Sequence, residues 1–144
     1  MTLTIARTDD LDACLALRRT VFIEEQSVPE ELERDEHDAT ALHLLATLDG
    51  RPVGTARILL KGDAGKIGRV CVLRDLRGQG VGAALIRAAV EELRALGLAR
   101  AKLGSQVHAI PFYEKLGFTA EGPVYDDAGI PHRDMVLALQ GPLT

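Results

Sequence analysis

The chain has 144 residues and a mass of 15.5 kDa, the size of one domain with a core large enough to dispense with disulfide or metal staples. Hydrophobic residues make up 47% and charged residues 26%, which excludes a disordered chain. With 17 Lys+Arg against 21 Asp+Glu the formal charge is −4, which excludes the broad basic face that nucleic acid or anionic lipid requires.

Residues 3–6 read as a short strand. Thr8 stands where an N-cap would, ahead of Asp9 and Asp10, and Leu11, Cys14, Leu15, Val21 and Phe22 then recur at helical spacing. Residues 24–38 carry eight carboxylates against the single base Arg34, and Pro29 interrupts any long helix. Two readings stay open for this run: a solvated loop, or an acidic wall that gathers a cationic substrate. Residues 41–48 and 53–60 alternate as strands around Asp49-Gly50-Arg51-Pro52, a hairpin signal. A loop over 61–65 and a strand over 66–73 follow.

A helix is predicted from Gly80 to about Leu96, with Val81, Leu85, Ala89, Leu93 and Leu96 on its buried side and Gly97 as its stop. Strands over 98–103, 118–124 and 134–139 and a short helix over 109–116 complete the chain. The fold class is a mixed α/β domain spanning 1–144: an antiparallel meander, then alternating strands and helices. Cys14 and Cys71 lie in separate apolar stretches with no CxxC pair, so neither zinc nor a disulfide is expected. No apolar segment has the length of a signal core or a bilayer span. A cytoplasmic protein is expected, with no membrane or nucleic-acid partner and a homodimer as the candidate assembly.

The most informative stretch joins the strand over 66–73 to the long helix: Arg77-Gly78-Gln79-Gly80-Val81-Gly82. Bare N–H groups at a helix start make an anion site, and glycines let a phosphate reach the backbone. A Walker loop fails here, because Gly65-Lys66-Ile67 lacks both the upstream glycine and the hydroxyl. The dinucleotide pattern is met by Gly78, Gly80 and Ala83, yet residues 98–105 hold no acidic residue for a ribose. The pyrophosphate pattern R/Q-x-x-G-x-G/A fits.

With that loop, and with Ala109-Ile110-Pro111-Phe112-Tyr113-Glu114-Lys115-Leu116-Gly117-Phe118 downstream, the chain resembles the GNAT family of N-acetyltransferases over essentially its whole length. Residues 18–38 and Gly129-Ile130-Pro131-His132 are similar to its ElaA/YjcF-like branch. The resemblance implies a central, mostly antiparallel sheet flanked by helices, with two strands splayed apart to admit acetyl-CoA as co-substrate. It implies that the backbone of Val70, Cys71 and Val72 pairs with the pantetheine arm, and that an N–H there, Val72 first, holds the thioester oxygen. Arg77, Gly78, Gln79, Gly80, Val81 and Gly82 would hold the diphosphate. Gln106 stands where the family often has an asparagine that touches CoA.

The implied activity is direct acetyl transfer to a primary amine of a small molecule, without a metal. A CoA-binding regulatory domain and a peptide acetyltransferase are the alternatives. Tyr113 is the candidate acid for the departing thiolate. Glu25, Asp35, Asp38, His43, His108 and His132 are candidates for the base, with Glu25 and His132 preferred; His37 reads as solvated. Cys71, flanked by valines, reads as a packing residue and not a nucleophile.

Overall fold

The computed structural model describes residues 2–139. Its strands are β1 (Leu3–Arg7), β2 (Leu42–Leu48), β3 (Arg51–Lys61), β4 (Ala64–Val72), β5 (Arg100–Gln106), β6 (Thr119–Asp127) and β7 (Ile130–Ala138). They form one seven-stranded sheet in the order β1-β2-β3-β4-β5-β7-β6. Every neighbouring pair is antiparallel except β4 and β5, whose parallel pairing requires the crossover supplied by α3 (Val81–Ala95). Shorter helices are α1 (Leu11–Arg18), α2 (Glu30–Glu33) and α4 (Ile110–Glu114). This is the mixed α/β, mostly antiparallel architecture that the resemblance implied.

Several strands outrun their sequence signals because the turns are tighter than composition suggests. Asp49 and Gly50, both at positive φ, make the first hairpin by themselves, so Arg51 and Pro52 already belong to β3. The stretch expected as a loop over 61–65 is another tight turn, and β3 and β4 run to its edges. Ala128 and Gly129 turn β6 into β7 in the same way, so β7 starts before the strand expected at 134 and takes in His132. Asp10, not Thr8, caps α1: its carboxylate accepts the Ala13 N–H at 3.1 Å, while the Thr8 hydroxyl accepts the Asp10 N–H at 3.0 Å.

The two faces of β3 explain its composition. Residues 53–58 are all buried, because α3 covers one face of the sheet and α1 the other. Leu85, Ile86, Ala89 and Leu93 of α3 are wholly buried against the strands, whereas Leu96, expected on the same side, is the C-cap residue and exposed. A Cβ on Gly65 would lie 2.2 Å from a Leu93 methyl, so a glycine there lets the helix close onto β4.

Past α1 the chain widens into a π-helical stretch, Arg19–Glu25, with the Gln26 N–H reaching back to the Val21 carbonyl. Such widened turns cluster at functional sites. They cannot be read from helical periodicity, which continues unbroken through Val21 and Phe22.

One break in the sheet matters most. β4 and β5 pair from Ala64↔Arg100 to Ile67↔Leu103 and then part, while β5 continues against β7 as far as Gln106↔His132. The cause lies on the other edge of β4. Between Thr55↔Cys71 and Arg57↔Gly68, β4 holds one residue more than β3, a bulge in which Arg69 takes φ +50°. A bulge bends and twists its strand. Residues 68–72 are thereby swung away from β5.

Candidate active site

The splay leaves a strand edge without a partner. The Leu73 N–H donates to the Val53 carbonyl at 2.9 Å, and Gly54↔Val72 is the adjoining pair. N–H directions alternate along a strand, so the Val72 N–H and carbonyl face the open side. The Val72 carbonyl already accepts the Arg77 Nε at 3.0 Å. Val70 lines the cavity at this opening. Cys71 points the other way, into a small apolar cluster with Leu17 and Val21, and burial pushes its thiol up to about 12. A thiol so placed does not serve as a nucleophile.

At the end of β4 the chain turns through residues 74–76 into the start of α3. Gly80 is the N-cap residue at φ +87° and Gly78 sits at φ +79°, conformations that favour glycine, and nothing lies within 4 Å of a Cβ added at either. The N–H groups of Val81, Gly82 and Ala83 have no intrahelical acceptor by position. No side chain caps this helix start. The result is an open cradle of backbone donors at the positive end of a 15-residue helix, suited to a diphosphate. Arg77 and Gln79 flank it, Gln79 holding the Asp75 carbonyl.

Where β4 and β5 part lies a cavity of about 290 Å³. Tyr113 enters it from α4, its ring edge-on to Phe112 and Phe118 at centroid distances of 5.0 and 6.2 Å. Its hydroxyl has no hydrogen-bond partner among the described residues, and burial pushes its pKa up to about 12. His132 enters from β7. Its Nδ1 donates to the Ile130 carbonyl at 2.7 Å, so the neutral ring carries its lone pair on Nε2. The ring stacks on Tyr125 at 6.0 Å, and the Tyr125 hydroxyl donates to Asp134. Gly104 makes room for this arrangement, since a Cβ there would lie 2.4 Å from the Tyr125 hydroxyl. Gln106 lines the cavity with its amide engaged, donating to Gln26 at 3.1 Å and accepting from His108 at 2.8 Å.

The other candidate bases are placed elsewhere. Glu25 lies outside the cavity lining, held by Arg74 and Arg77, and the Arg77 hydrogen bond keeps its carboxyl below the usual range. His43 is buried with Nε2 donating to the Asp38 carbonyl, away from the cavity. His37 and His108 are exposed.

The acidic run divides: Glu24, Glu30, Glu31 and Glu36 are exposed, as the solvated reading has them, while the other four carboxylates are paired with arginines. Glu33 and Asp38 are buried against Arg18, Asp38 and Asp35 hold Arg57, and Asp35 also meets Arg69. Burial by itself would raise the Asp38 carboxyl, but hydrogen bonds from Arg18 and Arg57 outweigh it and hold it far below the carboxylate range. Glu33, Asp35 and Asp38 therefore form a largely buried ion-pair network with Arg18, Arg57 and Arg69 that fixes α2 and the following turn beneath the cavity. Arg57 and Arg69, both cavity-lining, escaped the sequence reading. A lone arginine inside each apolar strand was the available signal. Among the described residues no group of three His, Cys, Asp or Glu side chains is placed to hold a metal, and no helix is long and apolar enough to cross a membrane.

A parallel strand pair splayed by a bulge, beside a glycine-rich helix start, defines an acyl-transfer class of fold. The family description "Acetyltransferase (GNAT) domain" matches residues 7–139, and the chain belongs to that family; it is an acetyltransferase. The N-acetyltransferase YjcF of Bacillus subtilis (strain 168) is 35% identical over 138 residues, covering 94% of this chain and 99% of its own. The solved structure of an acyl-CoA N-acyltransferase from Pseudomonas aeruginosa is 33% identical with a TM-score of 0.84, covering 95% of this chain and 99% of that one. Escherichia coli ElaA is 32% identical with a TM-score of 0.82, over 94% and 98%.

Proposed function

We propose that the enzyme transfers the acetyl group of acetyl-CoA directly to the primary amine of a small molecule. The observation that carries this reading is the convergence, on one cavity at the splay, of a strand edge, a phenol and an imidazole Nε2 that are all without a partner among the described residues. The name of the Pseudomonas relative supports an acyl-CoA donor.

The diphosphate lies on the N–H groups at the start of α3, with Arg77, Gly78, Gln79, Gly80, Val81 and Gly82 around it. The pantetheine arm runs along the free edge of β4 at Val70, Cys71 and Val72, as an added strand would. Gln106 faces it from β5. The amine, deprotonated by His132 Nε2 directly or through water, attacks the thioester carbon. The Val72 N–H donates to the oxygen as it becomes an oxyanion. Collapse breaks the C–S bond and Tyr113 gives its proton to the thiolate sulfur; the proton shed by the new amide nitrogen returns to the Tyr113 phenolate, and the ammonium proton that His132 took first passes to solvent. Charge and protons balance without an acetyl-enzyme.

The test is release of free thiol from acetyl-CoA in the presence of a panel of small amines, with the product identified by mass spectrometry. One N-acetylated amine per CoA released is the expected result. CoA binding without turnover of any small amine would overturn the reading in favour of a peptide acceptor or a regulatory domain.

A further inference from the structure

We propose that the acceptor amine also carries a carboxylate, as an amino acid does, and that Arg69 is the group that takes it. The inference rests on the reading of this cavity as the site of a small amine. It starts from a strained residue. Arg69 occupies the β4 bulge at φ +50°, a region costly for a long side chain, in the wall of the cavity. Its guanidinium is loosely held: Nε donates to the Glu33 carbonyl at 3.1 Å, and Nη2 to the Leu32 carbonyl at 3.3 Å and Asp35 at 3.4 Å. Nη1 has no partner among the described residues. Asp35 is committed more firmly to Arg57, at 2.6 Å. Arg57 lines the same cavity, is 5% exposed, and its buried Nε has no hydrogen-bond partner. Burial, and then the guanidiniums of Arg57 and Arg18, depress the Arg69 pKa, so an anion there would relieve like-charge repulsion.

The cavity is also polarised. Arg57, Lys66 and Arg69 stand on its β3–β4 side, and Glu33 on that side is taken up by Arg18 from behind. Across the splay, the β6–β7 side presents Asp127 and His132. A ligand with a carboxylate at one end and an ammonium at the other matches both walls. Arg18, Arg57, Arg69 and Lys66 stand against Glu33, Asp35 and Asp38, an excess of one positive charge that suits a carboxylate and not a phosphate dianion. Glu33, Asp35 and Asp38 shape this preference indirectly, by holding the arginines in place.

The test compares amines of matched length with and without the carboxylate, β-alanine against propylamine and 4-aminobutyrate against butylamine, by thiol release. On the wild-type enzyme the carboxylate-bearing member should have a kcat/KM higher by about tenfold or more, the scale of a hydrogen bond to a charged group. Arg69→Gly suits the left-handed backbone and removes the guanidinium, and the ratio should collapse toward one. A purely structural Arg69 would lower both members alike and leave the ratio standing. A wild-type ratio near or below one overturns the proposal whether or not the variant folds. If no amine turns over, calorimetry with N-acetyl-β-alanine and N-propylacetamide in the presence of CoA separates the two claims. Binding that needs the carboxylate supports the Arg69 site while the transfer reading falls; binding indifferent to it, or none by either, overturns the Arg69 site.

Discussion

Tyr113, the acid proposed for the departing thiolate, shows how burial both equips and restrains such a group. With its pKa pushed up to about 12 the phenol keeps its proton throughout the working pH range. The sequence alone suggests an ordinary phenol near 10 facing a thiol near 8.5; burial widens that gap to roughly 3.5 units, or about 5 kcal/mol. Proton transfer therefore belongs with C–S cleavage, when thiolate charge develops. Tyr113→Phe is expected to lower kcat by ~10²–10⁴-fold while the KM for acetyl-CoA holds. An unchanged kcat, with chemistry rate-limiting, would reduce Tyr113 to packing. His132→Gln should likewise lower kcat/KM for the amine by on the order of 10²-fold or more, without weakening CoA binding measured by calorimetry. Tyr113 was legible because its motif is contiguous. The exclusion of Glu25 from the cavity was not, since its partners Arg74 and Arg77 lie 49 and 52 residues away.

The element that the sequence exposed most fully is the start of α3, where loop, helix and anion site share one short stretch. Gly80→Asp places a carboxylate at the cradle and a side chain at φ +87°. Its expected outcome is loss of detectable CoA binding by calorimetry with the far-UV circular dichroism spectrum retained; wild-type affinity would contradict the cradle. Strand termini and the bulge were less legible. A tight turn needs only two residues, which blurs the edge between loop and strand, and the bulge adds one residue with no compositional mark. The π-helical stretch shares its apolar spacing with an ordinary helix. Yet the bulge opens the splay and aims Arg69, so part of the site's geometry was hidden in a register shift.

At the scale of the molecule, the buried ion-pair network ties α1, α2 and the turn after it to β3 and β4. Arg18→Leu would leave Glu33 a buried, uncompensated charge and take from Asp38 one of its two arginines, and a loss of about 3–5 kcal/mol is expected, read as a lower midpoint in urea unfolding. The pH dependence follows from the same groups. Asp35 and Asp38 are held below their ordinary value of 3.8, so the unfolded chain binds the more protons there. Their stabilisation is thus complete above that value and drains away as the pH falls below it toward their folded-state pKa values. Urea midpoints measured from pH 7 down to pH 3 should hold near neutrality and drop in the acid range; Arg18→Leu should flatten that drop. The sequence shows these charges as a run, but their partners come from positions 18, 57 and 69, which only the fold brings together.

The most direct test of the whole account is a crystal structure with acetyl-CoA. The account predicts the diphosphate on the N–H groups at the start of α3, the pantetheine arm along residues 70–72 of β4, and the thioester sulfur within hydrogen-bonding reach of the Tyr113 hydroxyl. Acetyl-CoA bound outside the splay, or with its thioester remote from both Tyr113 and His132, would contradict it.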